Sequence, residues 1–285
     1  MGRGTEISWC DNTLNLWWGC QKISRGCKFC YAEDMAKRFR YNVWGPDNPR
    51  GAIASWESNL DKWQKSLTST SKVETVFVGS MMDIFEGSQP AIFRSGVASM
   101  DTGLIRGRFF GQVWKYPNLC FLLLTKRPDN IKSMIPAGWW GSPPPNVWFG
   151  ASVCTTDEEY DIPKSLIENT PMESRRFLSI EPLLGSIDID KGISTLKEDE
   201  RGVIRINPMI DWAIVGGESG IRARKMNPKW AIEVVEQCGD AGIPVFVKQM
   251  GSVWARGNES ADTKGGIPGE WIEELRIRDF PPEWL

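Results

Sequence analysis

Residues 211–249 read DWAIVGGESGIRARKMNPKWAIEVVEQCGDAGIPVFVKQ. Two short apolar runs, 211–216 (DWAIVG) and 244–248 (PVFVK), are continuous rather than alternating, as expected of parallel strands buried on both faces. Between them Pro228 suits a first helical turn, and Trp230, Ala231, Val234, Val235 and Cys238 share one face, which predicts a helix over 228–241. Strand, helix and strand in that order imply a parallel sheet.

The same pattern extends towards the N-terminus. Further runs occupy 75–79 (TVFVG), 118–125 (NLCFLLLT), 146–151 (NVWFGA) and 176–180 (RFLSI), and another strand is expected between Glu6 and Trp18. The repeated order predicts an α/β fold of parallel strands, a partial or complete (β/α) barrel. We read residues 1–285 as one domain, with insertions near 41–59 and 85–117. Where each run stops, polar residues follow: Ser80 and Asp83, Lys126 and Arg127, Ser152, Glu181, Glu218, then Lys248 and Gln249. In a barrel these strand ends converge on one mouth. For any one of them, a salt bridge or helix cap is the competing reading.

The chain carries no histidine, which excludes Ser-His-Asp chemistry and every metal site that needs imidazole. No apolar run approaches membrane-spanning length, and MGRGTEISWCDN holds no apolar signal segment, so a cytoplasmic protein without a membrane partner is expected. In that setting the seven cysteines read as thiols or metal ligands rather than disulfides. The formal net charge of −2 leaves polyanion binding to local patches: Arg106 with Arg108, Arg175 with Arg176, and Arg222, Arg224 and Lys225. Solvated surface charge is the plainer reading of each.

The strongest chemical signal is Cys20-Gln-Lys-Ile-Ser-Arg-Gly-Cys27-Lys-Phe-Cys30. Three thiolates so close, followed by a helix-like stretch over 32–40, can hold three corners of a cubic iron–sulfur cluster and leave one iron open. A zinc site is the main alternative and would need a fourth ligand such as Cys10 or a carboxylate. A redox dithiol at Cys27 and Cys30 would leave Cys20 without a role. Cys120, Cys154 and Cys238 read as packing residues.

The Cys27-Lys28-Phe29-Cys30 segment is similar to the signature of radical S-adenosylmethionine enzymes, although that signature spaces its first two cysteines more tightly than the six residues found here. More specifically, the chain resembles the phage Gp37/Gp68 family, also known by the domain name DUF5131. The resemblance rests on WWGCQKISRGCKFCYAE, GSMMDIF, LLLTKRP, NVWFGASV, RFLSIEPLLG, AIVGGESG and PVFVKQMG.

What the resemblance implies is a radical-SAM-like partial barrel. Cys20, Cys27 and Cys30 would ligate a [4Fe–4S] cluster, and S-adenosylmethionine on the open iron would yield methionine and a 5′-deoxyadenosyl radical. By position, Ser80, Met81, Asp83, Arg127, Ser152, Gly216, Gly217 and Glu218 become cofactor contacts. Lys126, Glu181 and Lys248 become candidates for catalysis, for the ribose or for the substrate. A reductant such as flavodoxin or ferredoxin and a three-cysteine-motif partner protein are the implied partners.

Fifteen tryptophans, among them Trp17, Trp18, Trp44, Trp56, Trp139, Trp140 and Trp254, are open to two readings: platforms for nucleobases or staples for loops. The first makes a nucleobase, nucleotide or DNA the expected substrate. Two other classes compete with the radical enzyme. One is a non-catalytic, metal-stabilised binding module, and the other a barrel enzyme using Lys and Glu for acid–base chemistry.

Overall fold

The computed structural model describes residues 2–96, 100–155, 161–189, 194–198 and 204–284. The chain divides into two compact units: residues 1–23, 30–150 and 169–174 form one, and residues 24–29, 151–168 and 175–285 the other.

In the first unit, β1 (Gly2–Arg3) pairs antiparallel with β2 (Asn12–Leu14), and β2, β5 (Glu74–Val78) and β7 (Leu119–Thr125) run parallel. Leu14, Val76, Val78, Phe121, Leu122 and Leu123 are fully buried, each stabilising the fold by about 1.5–3 kcal/mol. Register is fixed by polar clamps. Asp11 Oδ2 accepts from Thr75 N at 2.8 Å and Thr75 Oγ1 at 2.9 Å, and Asn12 Nδ2 donates to Glu74 Oε2 at 2.9 Å.

The two expected insertions contain regular structure. β3 (Trp17–Trp18), β4 (Arg50–Ala52) and β6 (Ala91–Phe93) build a second small sheet, beside α1 (Tyr31–Arg38), α2 (Trp56–Leu67) and α3 (Thr102–Phe110). An aromatic layer of Phe109, Phe110, Trp139 and Phe149 fills the space behind β7, with ring centroids 5.0–6.3 Å apart along the chain of contacts.

In the second unit, β9 (Arg175–Ile180), β12 (Trp212–Gly216) and β13 (Val245–Gln249) are parallel, and β10 (Ser194–Glu198) and β11 (Ile204–Pro208) form an antiparallel hairpin. The expected helix, α4 (Pro228–Ala241), starts with Asn227 as N-cap, accepting from Lys229 N at 3.2 Å. It ends at Gly242 in the left-handed region (φ 70°). Its face of Ala231, Val234 and Cys238 is buried. Trp212 is the hub of this core, its ring 6.1 Å from Phe177, 6.3 Å from Phe246 and 5.0 Å from Trp284.

The strand order of the sheet is β1-β2-β5-β7-β8-β9-β12-β13, where β8 is Val147–Ser152. The strands from β2 onward are parallel, the order of a partial (β/α) barrel, as expected from the apolar runs. Among the described residues no helix is long and apolar enough to cross a membrane.

Candidate functional site

The strand ends of the first unit carry a buried charge network around Cys20. After β5 the chain turns at Gly79 (φ 109°) into Ser80-Met81-Met82-Asp83. Asn15, just past β2, holds this turn: its Nδ2 donates to Ser80 Oγ at 2.8 Å and its Oδ1 accepts from Met81 N at 2.7 Å. The Met81 carbonyl accepts from Gly19 N at 3.0 Å, and the Ser80 carbonyl from the Tyr31 hydroxyl. Asp83 is buried and fully engaged. Its Oδ1 accepts from Thr125 Oγ1 at 2.7 Å and Phe85 N at 3.0 Å, its Oδ2 from Lys126 N at 3.1 Å and Arg127 Nη1 at 2.8 Å.

Arg127 links that carboxylate to the cysteine loop. Its Nη1 lies 3.7 Å from Cys20 Sγ and its Nη2 donates to the Gln21 carbonyl at 2.7 Å. Glu86 Oε1 accepts from Gln21 N at 2.8 Å, and both Glu86 oxygens take Arg50, at 2.9 and 2.8 Å. Arg106 Nη1 donates to the carbonyls of Ile84 and Glu86 at 3.1 and 3.0 Å. Three guanidiniums, those of Arg50, Arg106 and Arg127, thus surround the carboxylates of Asp83 and Glu86, and Asp101 also acts on Arg106.

Without a metal, burial, then Asp83 and Glu86, push the Cys20 thiol above its ordinary range, against the pull of Arg127. Burial opposes charge on Arg127 as well, but Asp83, Cys20 and Glu86 outweigh it and hold that guanidinium above its usual range.

Gly19 is required where it stands. It has φ 113°, and a Cβ there would lie 2.1 Å from the Val43 carbonyl oxygen. Gly19→Ala is expected to cost about 2–4 kcal/mol, read as a lowered thermal midpoint with the visible spectrum of any bound cluster recorded in parallel.

The second unit gathers the other predicted residues. Glu181, after β9, pairs with Lys248 of β13 at 3.0 Å, and Ser179 Oγ lies 3.5 Å from Glu181 Oε2. A Cβ on Gly216 would stand 2.5 Å from Glu181 Oε1, and one on Gly217 2.3 Å from the Met250 carbonyl oxygen, so these glycines permit close approach rather than cradle a phosphate. Ser152 is buried at the end of β8. Glu218, also buried, accepts from Arg224 N at 2.7 Å, Nε at 2.8 Å and Nη2 at 2.6 Å. This bond to Glu218, more than the burial opposing it, holds the Arg224 guanidinium above its ordinary range.

Arg224 reaches the Cys27 loop. Its Nη1 donates to the Arg25 carbonyl at 2.9 Å, and the guanidinium carbons of Arg224 and Arg222 lie 5.3 and 5.2 Å from the Phe29 ring centroid. Phe29, the aromatic residue of the Cys-x-aromatic-Cys motif, is therefore a packing platform for arginine. Arg224→Ala is expected to speed trypsin cleavage after Arg25 or Lys28 several-fold, because it removes both the carbonyl anchor and one face of Phe29.

The sequence-predicted residues thus fall into two clusters. Ser80, Met81, Asp83, Lys126 and Arg127 join Cys20 in the first unit, and Ser152, Glu181, Gly216, Gly217, Glu218 and Lys248 stand in the second. Cys30 is the N-terminal flanking residue of α1, and its carbonyl accepts from Asp34 N at 3.1 Å. Cys20, Cys27 and Cys30 are half-buried, and none of the three forms a disulfide. Among the described residues no group of three or more cysteine, aspartate or glutamate side chains stands in metal-holding geometry.

By donor chemistry alone, three thiols in a chain without histidine suit an iron–sulfur cluster, and Arg127 Nη1 lies within hydrogen-bond reach of one of them, Cys20 Sγ. Sequence reasoning missed Arg50 and Glu86. Both carry ordinary charged-surface signatures, and only their pairing reveals them. The tryptophan readings divide: Trp17, Trp56 and Trp139 are core residues, whereas Trp140 is exposed, with Lys132 over its ring.

Fold and site define a parallel α/β protein whose strand ends bear a polar network on a cysteine-bearing loop. Residues 4–275 match the family described as protein of unknown function (DUF5131), and the chain belongs to it. Searches of curated proteins and of solved structures found no match.

Proposed function

We propose that this chain is a radical S-adenosylmethionine enzyme in which Cys20, Cys27 and Cys30 ligate a [4Fe–4S] cluster. The observation that carries the reading is the Arg127 guanidinium, fixed by Asp83 at 2.8 Å and directed at Cys20 Sγ at 3.7 Å. A donor aimed at a ligating sulfur stabilises thiolate charge and tunes a cluster, and burial of Asp83 keeps that donor in place. The cluster and S-adenosylmethionine, when bound, supply reductive formation of an adenosyl radical that takes a hydrogen atom from substrate.

This chain's own residues position and shield. Asn15 and Gly19 hold the Ser80–Met81 turn, where the methionine amino group would be received. Lys248 and Glu181 form a largely buried ion pair, 25% and 14% exposed, that a substrate or cofactor carboxylate can exchange into. Lys126, whose backbone is tied to Asp83, presents a further cation at the end of β7. A nucleobase or nucleotide is the substrate class in this reading, and a three-cysteine-motif protein a candidate partner.

The test is oxygen-free reconstitution with iron and sulfide. A brown protein with cubane absorption and a paramagnetic signal on reduction is expected. A colourless protein holding zinc would point instead to a metal-stabilised binding module.

A further inference from the structure

Helix α1 ends in a way that sets three aromatic rings beside one another. Arg40 N donates to the Lys37 carbonyl and Tyr41 N to the Ala36 carbonyl, each at 2.9 Å, the paired bonds of a Schellman motif. That motif needs a left-handed residue, and Arg40 supplies it with φ 54°, where glycine or asparagine is usual. The turn brings the chain back over the small sheet. A Cβ on Gly51 would collide with the Tyr41 hydroxyl, so Tyr41 lies on the sheet face at Gly51. Trp18 is paired with Gly51 across β3 and β4 and shares that face, while Trp17 is buried on the other. The Trp18 ring stands 6.0 Å from Phe39 and 6.1 Å from Tyr41. Phe39 is 55% exposed, and Trp18 and Tyr41 are half-buried.

Cations flank this row. Residues 35–46 hold Lys37, Arg38 and Arg40 and no carboxylate, in a chain of net charge −2. Arg94 follows β6; burial pushes the Tyr41 hydroxyl up and the Arg94 charge pulls it back, which sets that guanidinium near the same ring. Lys37 is paired with Glu33 at 2.7 Å. Arg38, Arg40 and Arg94 are exposed and form no ion pair among the described residues.

We infer that Trp18, Phe39 and Tyr41, with Arg38, Arg40 and Arg94, bind single-stranded nucleic acid. The inference rests on the reading above only for the nucleobase class of the substrate, and the binding itself needs neither cluster nor cofactor. Rings at this spacing offer flat faces to unpaired bases, and the unmatched guanidiniums take the phosphates. A duplex keeps its bases stacked inside and cannot use the rings. An acidic protein segment would answer the arginines and leave the aromatic row unused. Phe39 lies one helix length, roughly 14 Å, from Cys30, so a strand held here runs close to the cysteine motif.

The test follows the fluorescence anisotropy of a labelled DNA strand of about 12 nucleotides, and of RNA of the same sequence, as the full chain is added over a range of salt. Phe39→Ala is expected to bind about 10-fold more weakly, through the loss of one stacked base. Arg40→Gly/Arg94→Gln is expected to lower the salt slope by about 1.4 while melting no lower than the wild type, because glycine suits the left-handed turn. A folding defect would lower both readouts together. Whichever of DNA and RNA binds more tightly names the polymer. Equal affinity of the wild type and Phe39→Ala overturns the inference, as does a duplex bound as tightly as the single strand. Poly-glutamate that binds as tightly as the oligonucleotide and weakens in the same variants also overturns it, in favour of an acidic protein. The titrations are run with and without reconstitution. Oligonucleotide binding with these losses in a chain that assembles no cluster defeats the radical reading and upholds this site. A reconstituted chain that cleaves S-adenosylmethionine and binds neither strand defeats this site alone.

Discussion

Cys27→Ala is expected to strip the protein of iron under conditions in which the wild type keeps its cluster, with metal retention falling at least about 100-fold. The thiolates are the only strong soft donors the motif offers, and no histidine exists to replace one. Cys27 is half-buried, and its Sγ lies 3.8 Å from Ser24 Oγ within its own loop, so the metal-free variant should melt close to the metal-free wild type. Iron content and the visible spectrum, measured beside Cys238→Ala, check this. Cys238 is buried on α4, so its replacement should lower stability and leave iron bound.

Arg50→Met carries the largest expected cost in stability. Arg50 is 0% exposed and makes five hydrogen bonds: two to Glu86, and three from Nη1 to the carbonyls of Val43, Gly45 and Asn48 at 3.1, 2.9 and 2.7 Å. Removing it leaves buried Glu86 with only the Gln21 amide and the more distant Arg127, at 3.8 Å, and leaves the 43–48 turn without its donor. A loss of about 3–5 kcal/mol follows, a fall in thermal midpoint on the order of 10 °C. Arg108→Met removes an ion pair of the same type, to Glu57 at 2.8 Å, but that pair is 52% and 30% exposed. Its cost should stay below about 1 kcal/mol. Equal melting of the two variants would show that burial does not set the value of these pairs.

Much of this architecture is legible without coordinates because the parallel strands are buried on both faces. Runs such as 118–125 and 244–248 have unbroken apolar centres at 119–124 and 244–247, and the structure places strands at Leu119–Thr125 and Val245–Gln249. Helix α4 announces itself twice, by Pro228 at its start and by its apolar face, and it spans Pro228–Ala241 as read. The small sheet of β3, β4 and β6 gives no such signal. Its strands hold two or three residues each, too few for periodicity, in segments rich in glycine and proline.

The site follows the same division. The cysteines and the strand-end polar residues are visible because motif spacing and strand ends are local. The Arg50–Glu86 pair joins residues 36 apart, and Arg224 meets the Arg25 carbonyl across 199. Pairings of that range leave no periodic trace. Trp17 and Trp56 are core for a related reason, since a tryptophan's burial is decided by the tertiary neighbours it finds rather than by its flanking residues.

The most direct test incubates the anaerobically reconstituted chain with S-adenosylmethionine and dithionite and quantifies 5′-deoxyadenosine and methionine. The account predicts that both accumulate in equal amounts with the wild type and that neither appears with Cys27→Ala. A cluster-loaded wild type that leaves S-adenosylmethionine intact would contradict it.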